Sequence, residues 1–230
     1  MLDFSKFDVL TFDCYGTLIH WEAGILSVLK PMLTAHSRPL ADSEVLALYG
    51  DFEAEAEKNY QPYRDVLKSV VASFGARLSF EPTACELDAL TASVPQWQPW
   101  PDTIPALQNL GSRYQLAIIS NVDDDLFAST RPRLQTEFQS VTTAQQASCY
   151  KPGLPIFRMA LERVKVPPSC VLHVGQSIFH DVLPAQSLGL STVWINRPSR
   201  RAGVGAVKKA EGKPDLTLPD LKSLAALALG

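Results

Sequence analysis

The sequence has little of what marks several large classes of protein. Its 230 residues include four cysteines, and these form no CxxC pair and no Cys/His cluster. Such spacing predicts neither a zinc site nor a disulfide framework, and it fits a reducing, cytoplasmic compartment. No apolar run approaches the roughly 20 residues that cross a bilayer. The first residues also lack the basic start and long apolar stretch of a signal peptide.

A dominant charge of one sign is also missing. Lysine and arginine number 21 against 24 aspartates and glutamates, so the net charge is −3. That balance gives no electrostatic reason to expect a nucleic-acid or membrane partner. Hydrophobic residues, in contrast, make up 46% of the chain, which is enough for a sizeable core. We therefore expect one large domain, or one domain with an insert, that acts on a small molecule.

Apolar runs typical of buried parallel strands recur along the chain. They are DVLTFD (8–13), QLAIISN (115–121), CVLHVG (170–175), STVWIN (191–196) and the weaker QSVTTA (139–144). Helical patterns separate these runs, at 101–114, 151–164 and 181–190. Strands that alternate with helices predict an α/β fold with a doubly wound parallel sheet.

Residues 19–97 interrupt this alternation, because they contain four helical patterns and no strand signal. We predict a core domain made of 1–18 and 98–230, with an all-helical cap domain at 19–97. The stretch PQWQPWPD, rich in proline and tryptophan, is predicted to be the return hinge at 95–102. The basic stretch 197–213 is predicted to be a mobile surface loop.

Polar side chains stand where the predicted strands end. Asp13 follows the first strand, Ser120 and Asn121 end the second, Lys151 precedes a helix, and Asp181 follows a later strand. Taken singly, Asp13 could be a helix cap, a metal ligand or a nucleophile, and the cap is the commonest of these. Lysine is commonly a surface residue, and serine and asparagine commonly cap turns. The carboxyl ends of parallel strands meet at one edge, however, so we predict a single site.

Four ordered motifs carry a resemblance to a known family. FDCYGTL, IISN, YKP and HVGQSIFHD resemble the motifs of the haloacid dehalogenase superfamily, and the helical insert lies where that family carries its cap. The resemblance implies that Asp13 attacks carbon or phosphorus to form a covalent intermediate, which water then hydrolyses. It also implies that Lys151 keeps Asp13 ionised. Asp181 would then orient Lys151 or activate the water.

The remaining motif residues are predicted to stabilise charge. Thr17, Ser120, Asn121 and the amides that follow Asp13 could donate to the negative charge that develops during hydrolysis. The run at 123–125 is interpreted differently, as the acidic first turn of a helix rather than a metal cluster.

Two departures separate the chain from the phosphatase members of that superfamily. Phosphatases resemble DxDGT, in which the second carboxylate protonates the leaving group. Tyr15 stands at that position here, and a phenol is a weak acid at neutral pH. The phosphatase residue that holds magnesium is replaced by Gln176, a neutral and weaker ligand for a hard cation. Both departures favour a leaving group that needs no acid, such as a halide or a protonated amine.

Other details separate the chain from standard L-2-haloacid dehalogenases. GQSIFHD is one residue longer than their fourth motif, and neither Arg38 nor Arg64 matches the cap arginine that holds their substrate. The chain is also similar to L-azetidine-2-carboxylate hydrolase, which opens a strained, protonated ring. That resemblance underlies the assignment of Tyr15, Trp21, Ser177 and His180 to substrate binding, and His180 could also serve as an acid or base. Trp21 could equally be a packing residue.

The resulting prediction is a hydrolase that needs no metal or other cofactor. Asp13 displaces a halide from the carbon next to the carboxylate of a small carboxylic acid. Three alternatives stay open, namely opening of a strained C–N ring, a magnesium-dependent phosphatase and a non-catalytic binding protein. A homodimer is compatible with the resemblance, and no sequence feature demands one.

Overall fold

The fold is described from a computed structural model that covers residues 2–199, 206–207 and 210–230. Part of the basic stretch that we predicted to be a mobile surface loop, at 200–205 and 208–209, therefore lies outside the described residues. Among its described residues Arg197 and Ala206 are buried, so the prediction of a surface loop is wrong for these two. Among the described helices, none has the length and apolar character needed to cross a membrane.

A six-stranded parallel sheet forms the centre of the molecule, in the order β3-β2-β1-β4-β5-β6. Its strands are β1 (Val9–Phe12), β2 (Gln115–Ser120), β3 (Ser140–Thr143), β4 (Val171–Gly175), β5 (Ser191–Ile195) and β6 (Leu216–Leu218). Every residue of β1 and β4 is buried, because helices cover both faces of the sheet. The predicted doubly wound α/β sheet is thus confirmed, and the strand ends differ from the predicted ones by a residue or two.

The register of the central strands brings their carboxyl ends together. Phe12 at the end of β1 pairs with Ile118 of β2 on one side and with Val174 of β4 on the other. The residues that directly follow these three strands therefore share one edge of the sheet. Ligands bind at this edge in open α/β sheets.

Ten α-helices surround or extend the sheet in the described part of the chain. They are α1 (Trp21–Ala35), α2 (Asp42–Ala56), α3 (Tyr63–Leu78), α4 (Ala84–Ser93), α5 (Thr103–Gly111), α6 (Asp124–Leu134), α7 (Ala144–Ala147), α8 (Leu154–Val164), α9 (Leu183–Ser187) and α10 (Leu221–Leu229). A π-helical turn at Ile178–Val182 precedes α9, and short 3₁₀ turns lie at Phe4–Lys6, Val94–Gln96 and Pro168–Cys170.

The first four helices all lie between β1 and β2, as the sequence predicts for an inserted cap. The two connections to this helical group run antiparallel, because the Ile19 and Pro99 backbones bridge and His20 N donates to Gln98 O at 2.8 Å. The predicted hinge at 95–102 thus includes one of the two chain segments that join the helical group to the sheet. Division of the chain into a core domain and a cap domain stays a prediction.

Helix α2 buries a stripe of side chains four residues apart. Val45 and Tyr49 lie on this stripe at the spacing of an amphipathic helix. Glu53 continues the stripe, and it is buried as well, with 7% of its surface exposed. A carboxylate at a core position needs hydrogen-bond partners or a charge, because burial removes its hydration.

A buried arginine ties the site edge of the sheet to two helices. Arg197, which follows β5, donates to both carboxylate oxygens of Asp102 at 2.7 and 2.9 Å. It also donates twice to the carbonyl oxygen of Thr17, at 3.1 and 2.9 Å. Asp102 accepts in addition from the backbone N–H of Leu221, the first residue of α10. The planar guanidinium satisfies four contacts that a lysine ammonium cannot reproduce in this geometry.

We expect Arg197→Lys to lower the free energy of unfolding by about 2 kcal/mol or more, because buried acceptors lose their donors. Urea unfolding followed by circular dichroism measures this change. Arg158→Lys on the exposed face of α8 is the matched control and should stay within about 0.5 kcal/mol of the unmodified protein. Equal stability of the two variants would contradict this role for Arg197.

Candidate active site

A buried lysine lies between two carboxylates at the carboxyl edge of the sheet. Lys151 Nζ donates to Asp13 Oδ1 and to Asp181 Oδ1, each at 2.7 Å, and to the carbonyl oxygen of Ile119 at 3.0 Å. No more than 8% of any of these three charged residues is exposed. The fold therefore brings together three predicted residues that are far apart in the sequence.

Asp13 is held by the turn that follows β1. Its backbone N–H donates to Val174 O at 3.0 Å, and Thr17 Oγ1 donates to its Oδ2 at 2.6 Å. The turn requires Gly16 because its φ is +103°, a backbone conformation that residues with a Cβ rarely adopt. Both oxygens of Asp13 thus have fixed partners, so the carboxylate has one orientation.

Asn121 acts mainly on the backbone of Lys151. Its Nδ2 donates to the carbonyl oxygen of Lys151 at 3.1 Å, and its Oδ1 accepts the Lys151 N–H at 2.7 Å. The sequence had predicted a donor to the developing charge. This paired contact holds the backbone of Lys151. The Asn121 side chain also lines the cavity beside Asp13, and its role as a donor to the developing charge stays a prediction.

A chain of buried polar contacts holds Asp181 in place. Its Oδ2 accepts the backbone N–H of Ser177 at 3.0 Å. Its Oδ1 lies 3.4 Å from His173 Nε2, and His173 Nδ1 lies 2.9 Å from Thr11 Oγ1. His173 is buried and is not part of the cavity lining.

Lys151, Asp13 and Asp181 shift one another's pKa values. Burial would lower the pKa of Lys151, but Asp13 and Asp181 outweigh it and raise that pKa above its usual range. Burial would raise the pKa of Asp181, but Lys151 and His173 outweigh it and lower that pKa. Burial raises the pKa of Asp13, and the Asp181 charge adds to that effect against the attraction of Lys151. Asp13 is therefore the more basic of the two carboxylates.

A small cavity of about 40 Å³ opens beside Asp13. Nine of the ten predicted site residues line it, namely Asp13, Tyr15, Trp21, Ser120, Asn121, Lys151, Ser177, His180 and Asp181. The tenth, Thr17, lies behind Asp13. The structure therefore brings the predicted set together, and the chemical roles of its members stay predictions.

Two buried polar atoms of the lining have no hydrogen-bond partner in the described part of the chain. They are Ser120 Oγ and Trp21 Nε1. Ser120 is 1% exposed and Trp21 is 5% exposed, so bulk water does not readily satisfy either atom. A buried donor without a partner costs free energy, so both atoms are suited to contact a ligand in the cavity.

Tyr15 contacts the cavity with its ring while its hydroxyl is engaged elsewhere. Tyr15 Oη and Thr130 Oγ1 share a hydrogen bond of 2.8 Å. Burial raises the pKa of Tyr15 well above its usual value. The phenol is therefore an even weaker acid than the sequence alone indicates.

Sequence reasoning missed the residues that close the cavity from the helical insert. Glu53, Glu57 and Tyr63 line it from the side of α2 and α3. Tyr49 and Tyr63 donate to Glu53 Oε1 at 3.0 and 2.7 Å. A signal was present, because Glu53 and Glu57 continue the four-residue spacing of the buried Tyr49.

The two arginines considered for a substrate anchor lie elsewhere. Arg38 is exposed and donates to the carbonyl oxygen of Leu78, and the exposed Arg64 pairs with Asp125 at 2.5 Å. Asp123 accepts the backbone N–H groups of Tyr63 and Arg64 at 2.8 and 3.1 Å. Asp123 therefore caps the start of α3, and only Asp124 and Asp125 belong to the first turn of α6. Within the described ranges, no group of three or more His, Cys, Asp or Glu side chains could hold a metal ion.

The sequence of the chain is similar to a known family model and to known proteins. A family model described as haloacid dehalogenase-like hydrolase matches residues 7–189. The chain is 36% identical over 96 residues to the haloacid dehalogenase-like hydrolase domain-containing protein 3 of Xenopus laevis, a match that covers 41% of this chain and 38% of that protein. It is 28% identical over 177 residues to glyceraldehyde 3-phosphate phosphatase of Methanothermobacter thermautotrophicus, covering 74% and 76%.

Solved structures of dehalogenases share the fold. The L-2-haloacid dehalogenase of Xanthobacter autotrophicus with chloropropionic acid covalently bound superposes with a TM-score of 0.79. The alignment covers 97% of this chain and 99% of that one at 20% sequence identity. This likeness shows that the two chains have the same fold. The predicted similarity to azetidine-2-carboxylate hydrolase stays a prediction.

The buried Glu53 gives a stability prediction with a definite sign. Burial raises its pKa from 4.5 to about 7, although hydrogen bonds from Tyr63 and Tyr49 act in the opposite direction. The folded state therefore binds more protons than the unfolded state between these two pH values, so stability falls as the pH rises through them. Above pH 7 the cost reaches about 3 kcal/mol at most.

We expect Glu53→Gln to raise the free energy of unfolding at pH 8, because a neutral amide accepts the same tyrosine hydroxyls without that cost. The gain should shrink towards zero near pH 5. Urea unfolding at both pH values measures it, with Glu55→Gln on the exposed side of α2 as control. A variant that is less stable than the unmodified protein at pH 8 would contradict the assignment of a desolvated charge to Glu53.

Proposed function

The chain belongs to the haloacid dehalogenase-like hydrolase family, and we propose that it works without a metal, through a covalent ester on Asp13. The observation that carries this proposal is the contact of Asp13 with Lys151 at 2.7 Å, beside a cavity at the carboxyl edge of the sheet. A buried ammonium keeps the nucleophile ionised and points it in one direction.

The proposed reaction has two steps. One oxygen of Asp13 attacks a carbon of the substrate, the new C–O bond forms, and the leaving group departs with the electron pair of its own bond. Water then attacks the carbonyl carbon of the ester and the bond between that carbon and the substrate oxygen breaks. One proton of the water goes to the departing oxygen, which leaves as the alcohol, and the other goes to solvent, so that the carboxylate of Asp13 is regenerated. Asp181 is a weak base because its pKa is lowered, so orienting Lys151 is the role that suits it better.

The leaving group must depart without a proton from the protein. Tyr15 stands where a phosphatase has its acid, and its hydroxyl is bonded to Thr130 with a pKa above the usual range. A halide needs no acid, and a protonated amine already carries its proton. We therefore propose a halide on the carbon next to a carboxylate, with opening of a strained C–N ring as the alternative substrate. The Xanthobacter enzyme with covalently bound chloropropionic acid has this fold and supports the choice of carbon as the atom attacked.

A magnesium-dependent phosphatase is the second candidate, because a phosphatase is among the relatives. The residues present do not fit that metal. The Lys151 ammonium lies between Asp13 and Asp181, where a cation would bridge them, and Gln176 offers an amide in place of a carboxylate. Magnesium prefers several hard oxygen ligands in octahedral geometry. No step of the proposed reaction therefore uses a metal.

We expect a screen of short 2-haloacids and strained cyclic amino acids to find a substrate for the unmodified protein. Asp13→Asn should lower kcat for that substrate at least about 1000-fold, because the attacking group is lost. A chelator should leave the activity unchanged. Thermal melting of the variant controls for folding.

Magnesium-dependent release of phosphate from p-nitrophenyl phosphate, abolished by Asp13→Asn, would support the phosphatase instead. Full activity of the Asp13→Asn variant on any substrate found would exclude Asp13 as the nucleophile.

A further inference from the structure

The cavity beside Asp13 is acidic on both sides. Its lining includes four carboxylates, Asp13, Glu53, Glu57 and Asp181, against one ammonium group, that of Lys151. Carboxyl groups in this number favour a substrate that carries a positive charge beside its carboxylate, so of the two substrate classes proposed above the protonated amine is the better match to this lining. We infer that the substrate carries a protonated amine and that Glu53 binds it. This inference rests on the proposed function of the same site and names its substrate class.

Glu53 has a free acceptor in a fixed position. The hydroxyls of Tyr49 and Tyr63 both donate to Oε1, and they lie 3.2 Å from each other. The second oxygen, Oε2, accepts no hydrogen bond from the described residues, although the side chain is 93% buried and lines the cavity. A charged acceptor held in this way is ready for a donor from a ligand.

Lys151 does not supply the positive charge that would pair with Glu53. An ammonium group has three protons to donate, and those of Lys151 go to Asp13, Asp181 and the carbonyl oxygen of Ile119. Glu57, which follows α2, places a second carboxyl group next to Glu53, and burial together with the charge of Glu53 raises the pKa of Glu57 well above its usual value. Ionising two neighbouring buried carboxyl groups is costly, and a cation bound near them lowers that cost.

Two other groups of the lining suit the carboxylate of the same substrate. Ser120 Oγ and Trp21 Nε1 are buried, line the cavity and have no partner among the described residues. Both can donate a hydrogen bond, and the indole N–H can only donate. These donors and the acceptor oxygen of Glu53 together match the two charged groups of a small zwitterion.

A larger cavity of about 370 Å³ adjoins the first, and the two share Glu57, Lys151 and His180. The rings of Tyr60 and Tyr150, with centroids 5.5 Å apart, line this outer cavity. Aromatic faces attract organic cations. The two tyrosine rings of the adjoining cavity therefore favour a protonated amine as well.

Affinity for the amine should depend on pH with a definite sign. The groups that face Glu53 are Tyr49 and Glu57 of its own helix, Tyr63 of α3 and Lys151 of the core. The pKa of Glu53 is raised to about 7 by burial. Its carboxylate gains its charge as the pH rises through that value, so the amine should bind more tightly at pH 8 than at pH 6.

The test compares two carboxylic acids of matched shape, azetidine-2-carboxylate with a protonated ring nitrogen and oxetane-2-carboxylate with a neutral ring oxygen. Binding is measured by calorimetry in an Asp13→Asn background, so that no turnover interferes. We expect the azetidine to bind at least about tenfold more tightly, since a hydrogen bond between charged groups is worth that much. Adding Glu53→Gln should abolish the preference, and adding Glu55→Gln, on the exposed side of the same helix, should keep it.

Equal affinity for the two acids, binding of neither, or a preference that survives Glu53→Gln would overturn the inference. Thermal melting confirms that each variant is folded. The binding comparison needs no chemistry, so a clear preference without turnover would leave the amine site standing and remove the proposed reaction. Turnover of haloacids without a preference for the azetidine over the oxetane would leave the proposed reaction standing and remove the amine site.

Discussion

The contact of Lys151 with Asp13 and Asp181 is the interaction on which the rest of the site depends. Three charged groups are buried at one point, and each would be costly there without the other two. The parallel register of β1, β2 and β4 brings the strand ends together, and Asn121 fixes the backbone that carries the lysine. Because all three lysine protons are engaged, Asp13 is held in one orientation and Lys151 has no proton left to donate to Glu53.

Because the protons of Lys151 are all engaged, Lys151 does not pair with the carboxyl groups on α2. Glu53 is held by two tyrosine hydroxyls and stays partly uncompensated in the free protein. Its raised pKa records a cost in stability that a neutral residue would avoid. Residues that cost stability at a site are commonly there for function. The same carboxylate that destabilises the empty cavity would select a substrate by its charge, so the two properties have one physical origin.

Sequence reasoning reached the core side of the site and missed the side that closes it. Asp13, Ser120 and Asp181 follow apolar runs, so the rule that parallel strands end at one edge was sufficient to predict that they meet. Glu53 and Glu57 lie on a helix of the insert, and no local rule says which face of that helix covers the sheet. The spacing of Glu53 from Tyr49 was readable, but its meaning needs the long-range packing of α2 and α3. The same holds for Asp123, whose partners lie some sixty residues earlier in the chain.

The central claim is that Asp13 itself becomes part of the intermediate. Excess protein reacted once with its substrate in heavy-oxygen water tests this claim directly, with mass spectrometry of both the product and the peptide that contains Asp13. The account predicts a product with ordinary oxygen, taken from Asp13, and heavy oxygen in the Asp13 carboxylate after hydrolysis of the ester at its carbonyl carbon. Heavy oxygen in the product with an unlabelled Asp13 would contradict it, because water would then have attacked the substrate directly.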